Sequence, residues 1–295
     1  MYDITSALAD NARAVNETLD GLLPMRDDPE ARLIEAMRYA SLTAGKRIRP
    51  FLVSSSADLF GVTPEFALRV AAAIEMVHCY SLVHDDLPAM DDDALRRGLP
   101  TCHMKFDEAT AILAGDALLT KAFEVVADPA THPDPRVRSD LVLELACAAG
   151  AEGMVGGQML DLVAEHNSLR VAEVTRLQRM KTGALIAVAC DAGAVLGKAA
   201  DSARQSLRAY AHDLGLAFQI VDDLLDVEGT SEEVGKATGK DAEAGKATFV
   251  SLLGAERARE QSLMLADQAV QHLEIFSEKA DPLRALARFV VDRKH

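Results

Sequence analysis

The stretch that most constrains this chain is Leu82–Thr101, where a strongly apolar helical run ends in a dense set of carboxylates. Five aspartates fall within nine positions and two arginines follow: Asp85, Asp86, Asp91, Asp92, Asp93, Arg96 and Arg97. Carboxylates crowded at the end of a buried helix repel one another and raise their own pKa values unless a cation compensates them. An all-oxygen ligand set favours Mg²⁺ or Ca²⁺ over zinc, and neighbouring arginines indicate phosphate as the other ligand.

A second acidic cluster lies on another apolar segment, Ala217–Val227, which reads AFQIVDDLLDV. At about 100° per residue, one helix face presents Gln219, Asp222, Asp223 and Asp226. In the first cluster, continued helix would turn Asp91 away from Asp85, so we expect the chain to fold back near Pro88. Both clusters could simply be acidic helix ends facing water. Two such clusters on buried-looking helices, each with basic residues nearby, favour a metal-dependent site between them.

Composition limits the classes of function. The net charge of −15 argues against nucleic acid and against anionic membrane surfaces as partners. The four cysteines lack metal-ligand spacing, and we expect reduced thiols in a cytoplasmic protein. The N-terminal residues are acidic and polar, unlike a signal peptide, and no uncharged apolar stretch has membrane-spanning length.

The sequence predicts an all-α fold without strands. Hydrophobic residues make up 49% of the chain but aromatic residues only 4%, which is typical of a helical core of Ala, Leu, Val, Ile and Met. We expect one domain spanning residues 1–295, with ten or more helices around a central cavity. The predicted helices are Ser6–Leu23, Pro29–Leu42, one starting near Phe51, Glu65–His84, Glu108–Val126, Val137–Leu162, Glu173–Leu196, Ala203–Val227 and Phe249–Arg293.

Basic residues cluster at Gly45–Pro50, which reads GKRIRP. They could form a solvent-facing helix cap or bind a diphosphate, for which Arg49 offers a planar fork and Lys46 a point charge. His78 lies about two turns before Asp85 on the same side of its helix, as a core residue or as a group facing the site. Lys181 interrupts an apolar run and should point into a polar cavity, because a buried unpaired ammonium is costly.

Several of these segments resemble the trans-isoprenyl diphosphate synthases, also called polyprenyl synthetases, and particularly the bacterial farnesyl and geranylgeranyl diphosphate synthases. The similarity extends from about Leu33 to the C-terminus, and Ala44 stands where that family often has a second glycine. The segments that carry it are GKRIRP at Gly45–Pro50, HDDLPAMDDDALRRG at His84–Gly98, GGQMLD at Gly156–Asp161, Lys181–Thr182 and QIVDDLLD at Gln219–Asp226.

The resemblance implies an isoprenoid-synthase-type helical bundle and a prenyltransferase that joins isopentenyl diphosphate to an allylic diphosphate. It implies Mg²⁺, as three ions per site, and a homodimer. Metal ligands would be Asp85, Asp86, Asp91, Asp222, Asp223 and Asp226. The allylic diphosphate would be bound by Arg96, Lys181, Thr182, Gln219, Lys236 and Lys246, the last two in the Gly- and Lys-rich segment Gly229–Lys246.

Isopentenyl diphosphate would be bound by a second set, here called the diphosphate clamp: Lys46, Arg49, His78 and Arg97. Gln158 and Asp161 would also face the site. The catalytic set would be Asp85, Asp86, Asp91, Arg96, Lys181, Asp222 and Asp223. No protein nucleophile is required, and in the family's scheme the released pyrophosphate accepts the final proton.

Product length is expected to depend on residues just before Asp85. The helical wheel selects Ser81 as the residue that lines the cavity. The resemblance points instead to Tyr80, because a bulky residue at that position often closes the end of the product cavity in farnesyl synthases. We therefore expect a C15 product from dimethylallyl or geranyl diphosphate, with C20 as the alternative. Tyr80 could instead merely pack between helices.

Three other classes of protein fit the sequence less well. A class I terpene cyclase shares the fold and an aspartate motif but needs no second diphosphate clamp. A catalytically silent subunit of a heteromeric synthase would be expected to lose aspartates, and both motifs are complete here. An acidic Ca²⁺-binding protein would lack the buried helices and lysines, and no EF-hand spacing is present.

Overall fold

The protein is helical almost throughout, as a computed structural model that describes residues 2–43, 45–164, 167, 169–228 and 248–292 shows. Fourteen α-helices lie in these ranges, which confirms the predicted all-α fold. They are α1 Ile4–Leu22, α2 Ala31–Leu42, α3 Ile48–Asp58, α4 Pro64–Asp85, α5 Cys102–Lys105, α6 Glu108–Ala127, α7 Pro135–Ala149, α8 Met154–Ala164, α9 Val171–Gln178, α10 Ala184–Leu196, α11 Asp201–Glu228, α12 Phe249–Leu253, α13 Ala255–His272 and α14 Asp281–Asp292. Lys236 and Lys246 lie outside the described residues, as does the rest of segment 229–247.

Helix α4 is the centre of the bundle. It packs against α1, α2, α3, α6 and α10, and its residues from Val70 to Val77 are all buried. Helix α10 is buried almost throughout on the other side of α3, and α11 packs on α10 and α13. These apolar contacts place the C-terminal end of α4 and the face of α11 at the interior of the bundle.

The end of α4 behaves as the sequence predicts. The helix stops at Asp85, and the chain folds back so that the amide of Asp91 donates to the carbonyl of Asp85 at 2.8 Å. The amide of Asp92 then donates to the carbonyl of Leu87 at 3.2 Å. Pro88 cannot donate a backbone hydrogen bond, so regular helix cannot continue through this segment.

Two predicted helices are interrupted. The expected helix Val137–Leu162 is divided into α7 and α8, because Gly150 and Gly153 turn the chain between them. The expected helix Glu173–Leu196 is α9 and α10 joined by a π-helix, Arg179–Gly183. A π-helix inserts an extra residue into the turn and is frequent at functional sites.

The expectation of a strand-free chain is wrong at one place. Two short antiparallel strands, β1 Leu95–Arg96 and β2 Leu99–Pro100, form a hairpin after the first aspartates. Its two turn residues, Arg97 and Gly98, both have positive φ (53° and 77°), as a tight two-residue hairpin requires. The hairpin returns the chain toward α2 and holds Arg96 and Arg97 next to the end of α4.

The C-terminal segment, expected as the helix Phe249–Arg293, is divided into α12, α13, a 3₁₀-helix Glu274–Ala280 and α14. Among the described residues, one helix, Pro64–Asp85, is long and apolar enough to cross a membrane by length and composition alone. Two-thirds of that window (67%) is buried inside the protein. Its apolar character is therefore already used by the helices that pack around it.

Candidate active site

A cavity of about 390 Å³ opens beside the C-terminal end of α4. One wall is α4, which contributes His78, Tyr80, Ser81 and Asp85. The other walls come from Arg49 of α3, from α8, and from Lys181 and Thr182 of the π-helix. Apolar side chains line much of it: Met90, Met154, Val155, Met159 and Leu162. Polar groups and an apolar wall thus share one space, which is the usual composition of a small-molecule site.

The first aspartate motif, Asp85–Asp93, carries charge that the protein compensates only in part. Burial raises the pKa of Asp85 to about 6, opposed by the charge of Lys181 and reinforced by that of Asp91. Asp86 is buried and its pKa is also raised, chiefly by desolvation, although Arg96 opposes the shift. The Arg96 guanidinium donates two hydrogen bonds to Asp86 Oδ1, from Nε at 2.9 Å and from Nη2 at 2.6 Å.

The second aspartate motif, Asp222–Asp226, is held by hydrogen bonds. Gln219 Nε2 donates to Asp223 Oδ1 at 3.0 Å, and the backbone amide of Phe249 donates to Asp223 Oδ2 at 2.9 Å. Thr182 Oγ1 donates to Gln219 Oε1 at 3.2 Å. A continuous chain of hydrogen bonds therefore links the π-helix to this motif.

The π-helix also fixes its lysine. Lys181 Nζ lies 2.7 Å from Asp161 Oδ2 of α8, and the carboxylate is buried. Helix α8 approaches so closely that a Cβ on Gly157 would lie 2.2 Å from the backbone nitrogen of Lys181. Close helix contact is thus what requires glycine at this position. Lys181 is held between Asp161 and the mouth of the cavity.

The diphosphate clamp is assembled from the segment before α3 (Lys46), the first turn of α3 (Arg49), helix α4 (His78) and the hairpin (Arg97). Arg49 lines the cavity, and its Nε is buried without a hydrogen-bond partner in the described structure. Burial, together with the charges of Arg49, Arg97 and Arg96, lowers the pKa of His78 well below its usual value. A pocket built only for packing would not gather like charges in this way, so this end of the cavity fits an anion.

Glycine in the basic segment has a steric reason. A Cβ on Gly45 would lie 2.5 Å from Nη1 of Arg97. Desolvation lowers the pKa of the Arg97 guanidinium, although the residue as a whole is exposed at the hairpin. Lys46 Nζ lies 5.9 Å from the centre of the Phe289 ring of α14, in a cation–π arrangement.

The structure brings only some of the expected site residues to the cavity: Arg49, His78, Tyr80, Ser81, Asp85, Lys181 and Thr182. Asp86, Arg96 and Arg97 line a smaller pocket of about 50 Å³ on the hairpin side of α4. Asp222, Asp223, Asp226 and Gln219 lie on α11 and not on the cavity wall, although the charge of Asp222 acts on Arg49. Tyr80 and Ser81 both line the cavity, so the helical wheel and the resemblance each selected a lining residue.

The carboxylates suit a hard divalent cation. Among the described residues, no three His, Cys, Asp or Glu side chains converge closely enough to hold a metal ion by themselves. Asp226 Oδ2 is nevertheless buried without a hydrogen-bond partner there, and Asp85 is desolvated without full compensation. Mg²⁺ takes one or two carboxylates and completes its shell with water and phosphate oxygens, so this sparse donor set fits it.

The sequence pattern alone did not place two sets of residues at the site. Gln158, which only the resemblance placed at the site, has both amide atoms buried without a hydrogen-bond partner in the described structure. Met154 and Met159 of α8 were not expected in the cavity wall, since methionine on a helix is usually core, and neither was Met90, which lies in the turn after α4. For Gln158 and Asp161 a signal exists, because they are two polar residues three apart on an otherwise apolar segment.

Comparisons with known proteins agree with this geometry. Residues 30–282 match the family model described as Polyprenyl synthetase. The chain is 47% identical to a farnesyl diphosphate synthase of Escherichia coli over 92% of this chain and 91% of the relative. It is 40% identical to a geranylgeranyl diphosphate synthase of Cyanophora paradoxa over 100% and 98% of the two chains.

A solved structure shows the same fold. The apo structure of an FPP/GFPP synthase from Zymomonas mobilis superposes with a TM-score of 0.91 at 48% identity, covering 98% of this chain and 99% of that one. The predictions of an isoprenoid-synthase-type bundle and of a prenyltransferase are confirmed. Because the family model matches residues 30–282 of this 295-residue chain, the chain belongs to the polyprenyl synthetase family.

Proposed function

We propose that this protein is a farnesyl diphosphate synthase, which condenses isopentenyl diphosphate with dimethylallyl or geranyl diphosphate by 1′-4 addition. The observation that supports this most directly is the cavity at the end of α4, whose wall contains Asp85, Arg49 and Lys181 together with Tyr80. Tyr80 is only 6% exposed and its ring meets that of His84 edge-on at 5.7 Å. A bulky aromatic residue one turn before Asp85 supports a short product, with C20 as the alternative.

The allylic diphosphate is assigned to the side of the cavity where Lys181 and Thr182 lie. Lys181 is oriented by Asp161 and Thr182 by Gln219, so both groups are held in place before substrate arrives. Lys236 and Lys246 belong to the same proposed set but lie outside the described residues. When bound by the aspartates of both motifs, Mg²⁺ supplies Lewis-acid stabilisation of the leaving pyrophosphate; three ions per site are proposed.

Isopentenyl diphosphate is assigned to the diphosphate clamp. The unpartnered Nε of Arg49 and the close set of cationic groups around His78 support an anion there. The apolar side chains of α8 would exclude water from the allylic carbocation, which water would otherwise quench. This scheme requires no protein nucleophile, and proton loss to the released pyrophosphate completes the reaction.

Three further properties are proposed from the family. The chain is a single polyprenyl synthetase domain over residues 1–295, it works in the cytoplasm, and it assembles as a homodimer. Light scattering of the purified protein tests the last of these, and a monomer at all concentrations would contradict it. No site for nucleic acid is proposed, because the net charge of −15 would repel it.

Product analysis tests the proposed function. The protein is incubated with Mg²⁺, isopentenyl diphosphate and either dimethylallyl or geranyl diphosphate, and the dephosphorylated products are separated by chromatography. We expect mainly C15 from the wild type and C20 or longer from Tyr80→Ala, because the smaller side chain leaves room in the cavity for a longer prenyl tail. Tyr80→Phe is the matched control: it keeps the ring and should keep C15. A wild type that makes mainly C20, or a Tyr80→Ala variant with unchanged products, would show that another residue sets the length.

A terpene cyclase is separated by the same experiment. A cyclase would consume an allylic diphosphate without isopentenyl diphosphate and release a hydrocarbon. The diphosphate clamp favours the synthase, because a cyclase has no second diphosphate to bind.

A further inference from the structure

We propose that Arg47 and Glu75 form a buried ion pair that positions the diphosphate clamp, so that Arg47 orients the residues that bind isopentenyl diphosphate without touching it. The proposal rests on the proposed function, since it concerns the binding of one of its substrates. In the sequence, Arg47 stands between Lys46 and Arg49 and has the same chemistry, so the pattern alone does not separate it from them.

The contacts of Arg47 face inward. Its Nη1 lies 2.6 Å from Glu75 Oε1, and the two side chains are 1% and 4% exposed. Nε and Nη2 both donate to Asn16 Oδ1, at 3.1 and 2.9 Å, and Nη2 also donates to the carbonyls of Ser41 and Thr43. The guanidinium is therefore hydrogen-bonded within the protein through all three nitrogens, and it is too buried for a ligand to reach.

These contacts tie together the elements around the clamp. Asn16 lies on α1, Ser41 and Thr43 lie at the C-terminal end of α2, and Glu75 lies on α4. Carbonyls in the last turn of a helix have no intrahelical partner, so Arg47 also caps α2. One side chain thus joins three helices at the point where the chain enters α3.

The backbone of Arg47 shows how firmly this point is held. Its φ of 49° is in the left-handed region, which a non-glycine residue adopts only where its surroundings determine it. Its carbonyl accepts the first hydrogen bond of α3, from the amide of Phe51 at 3.0 Å. Lys46 precedes this fixed residue and Arg49 follows it within the first turn of α3. The directions in which both clamp side chains leave the backbone therefore depend on Arg47.

Glu75 has a second effect, through its charge. It lies one helical turn before His78 on α4, and its negative charge raises the pKa of both Arg49 and Arg97 against the effect of burial. Without it, the guanidinium groups of Arg49 and Arg97 would have less compensation for their mutual repulsion and would move apart. The pair thus fixes the clamp sterically through Arg47 and electrostatically through Glu75.

The test measures stability and substrate binding in the same variants. Arg47→Lys keeps the charge but has no fork that can reach Glu75, Asn16 and the α2 carbonyls together. Glu75→Gln keeps the shape and removes the charge. We expect both to raise the KM for isopentenyl diphosphate roughly 10- to 100-fold, the effect of a small misplacement of binding groups, with less than a threefold change in the KM for geranyl diphosphate. Calorimetric titration with isopentenyl diphosphate should show the same loss of affinity.

A double variant separates positioning from a purely structural role. Arg47→Met with Glu75→Met replaces a buried ion pair by apolar groups of similar volume, a change that often restores stability. We expect its melting temperature to exceed that of either single methionine variant while its KM for isopentenyl diphosphate stays raised. If KM returns to the wild-type value together with the melting temperature, the pair only stabilises the fold and the proposal is wrong. Should the double variant not fold, Arg47→Lys decides alone.

Arg204→Lys is the matched control. Arg204 also bridges carboxylates, Asp191 at 2.6 Å and Glu144 at 2.9 Å, on helices α7, α10 and α11, which carry none of the clamp residues. We expect it to lower the melting temperature and to leave the KM for isopentenyl diphosphate unchanged. Failure of the proposed function is distinct, because the wild type would then make no prenyl product. An active wild type with an Arg47→Lys KM within threefold of its own would overturn only the proposal made here.

Discussion

The two aspartate motifs look alike in sequence but differ in how the protein holds them. The first motif follows the end of α4, where Asp85 is desolvated and its pKa is raised to about 6. The second lies within α11, where Asp223 accepts hydrogen bonds from Gln219 and from the amide of Phe249. One carboxylate is thus left short of compensation, and the other is fully engaged before any ligand binds.

This difference indicates two contributions to one site. A carboxylate that is buried without a full set of partners raises the free energy of the ligand-free protein and gains most from a cation. A carboxylate fixed by hydrogen bonds from a neighbouring helix and the chain beyond it provides a rigid reference position. Asp85 therefore supplies driving force for metal binding, and Asp223 supplies geometry.

The largest expected effect is the loss of turnover when either motif is removed. Asp85→Ala and Asp223→Ala should each lower kcat by roughly a thousandfold or more, because each takes away a ligand that stabilises charge on the leaving group. Activity is measured with saturating Mg²⁺ and both substrates, and circular dichroism checks that the helical fold remains. Near wild-type turnover in either folded variant would mean that the two motifs do not share one site.

The next effect concerns the basic residues that accompany the motifs. Loss of Arg49 or His78 should raise mainly the KM for isopentenyl diphosphate, and loss of Lys181 or Lys236 mainly that for the allylic substrate. One charge-assisted hydrogen bond corresponds to roughly 10- to 100-fold in each case. Steady-state kinetics with one substrate varied at a time measures both constants. Equal changes in both would contradict two separate binding sets.

The sequence predicted the first region better than the second. Pro88 and the angular separation of Asp85 and Asp91 were enough to predict the fold-back, which the backbone bond between them confirms. Of the bonds that Asp223 accepts, the one from Gln219 lies within a single helix, whereas the one from Phe249 joins residues 26 positions apart. Thr182, which donates to Gln219, lies 37 positions before it. Helical periodicity describes neighbours within one helix and carries no information about such long-range pairs.

Other differences between sequence and structure have similar physical causes. The π-helix at Lys181 and the break at Gly150 depend on how closely α8 approaches its neighbours, which no local pattern encodes. The two strands of the hairpin at Leu95–Pro100 are too short to show the alternation of apolar and polar residues by which a strand is predicted from sequence. Arg47 lies in the same basic run as Lys46 and Arg49, and only its burial against Glu75 separates it from the clamp.

A smaller effect is expected on the free energy of unfolding. Replacing Asp85 of the first motif and Asp223 of the second by asparagine should change it in opposite directions. Ionised Asp85 destabilises the metal-free protein, because its pKa is higher in the folded than in the unfolded state and the unfolded state ionises more readily. Asp85→Asn should therefore raise the free energy of unfolding at pH 7.5, by on the order of 2 kcal/mol. Asp223→Asn should lower it by about 1–3 kcal/mol, since one of the two donors loses its acceptor.

Urea unfolding of the wild type and both variants, in buffer containing a chelator, measures these changes. Asp140→Asn, at an exposed position on α7, serves as a control for the removal of one charge. Equal signs for Asp85→Asn and Asp223→Asn would remove the distinction between a strained and a preorganised motif.

The smallest expected effect lies within α4 itself, where His78 and Asp85 are both desolvated but respond to pH in opposite directions. The folded-state pKa of His78 is lowered by burial and by the charges of Arg49, Arg97, Arg96 and Arg47. The unfolded chain takes up a proton near pH 6.5 that the folded protein does not, so stability falls as the pH drops through that value. For Asp85 the raised pKa makes stability fall as the pH rises between about 4 and 6.

Comparing the wild type with His78→Gln isolates the histidine, because Asp85 is common to both and cancels. Between about pH 7 and pH 5.5 the wild type should lose about 1 kcal/mol more stability than the variant, as expected for one side chain that protonates only when unfolded. The measurement is the difference in urea unfolding free energy at the two pH values, in metal-free buffer. Parallel pH dependence in the two proteins would mean that His78 takes up a proton as readily in the folded protein as in the unfolded chain, so that it is less desolvated than its lowered pKa indicates.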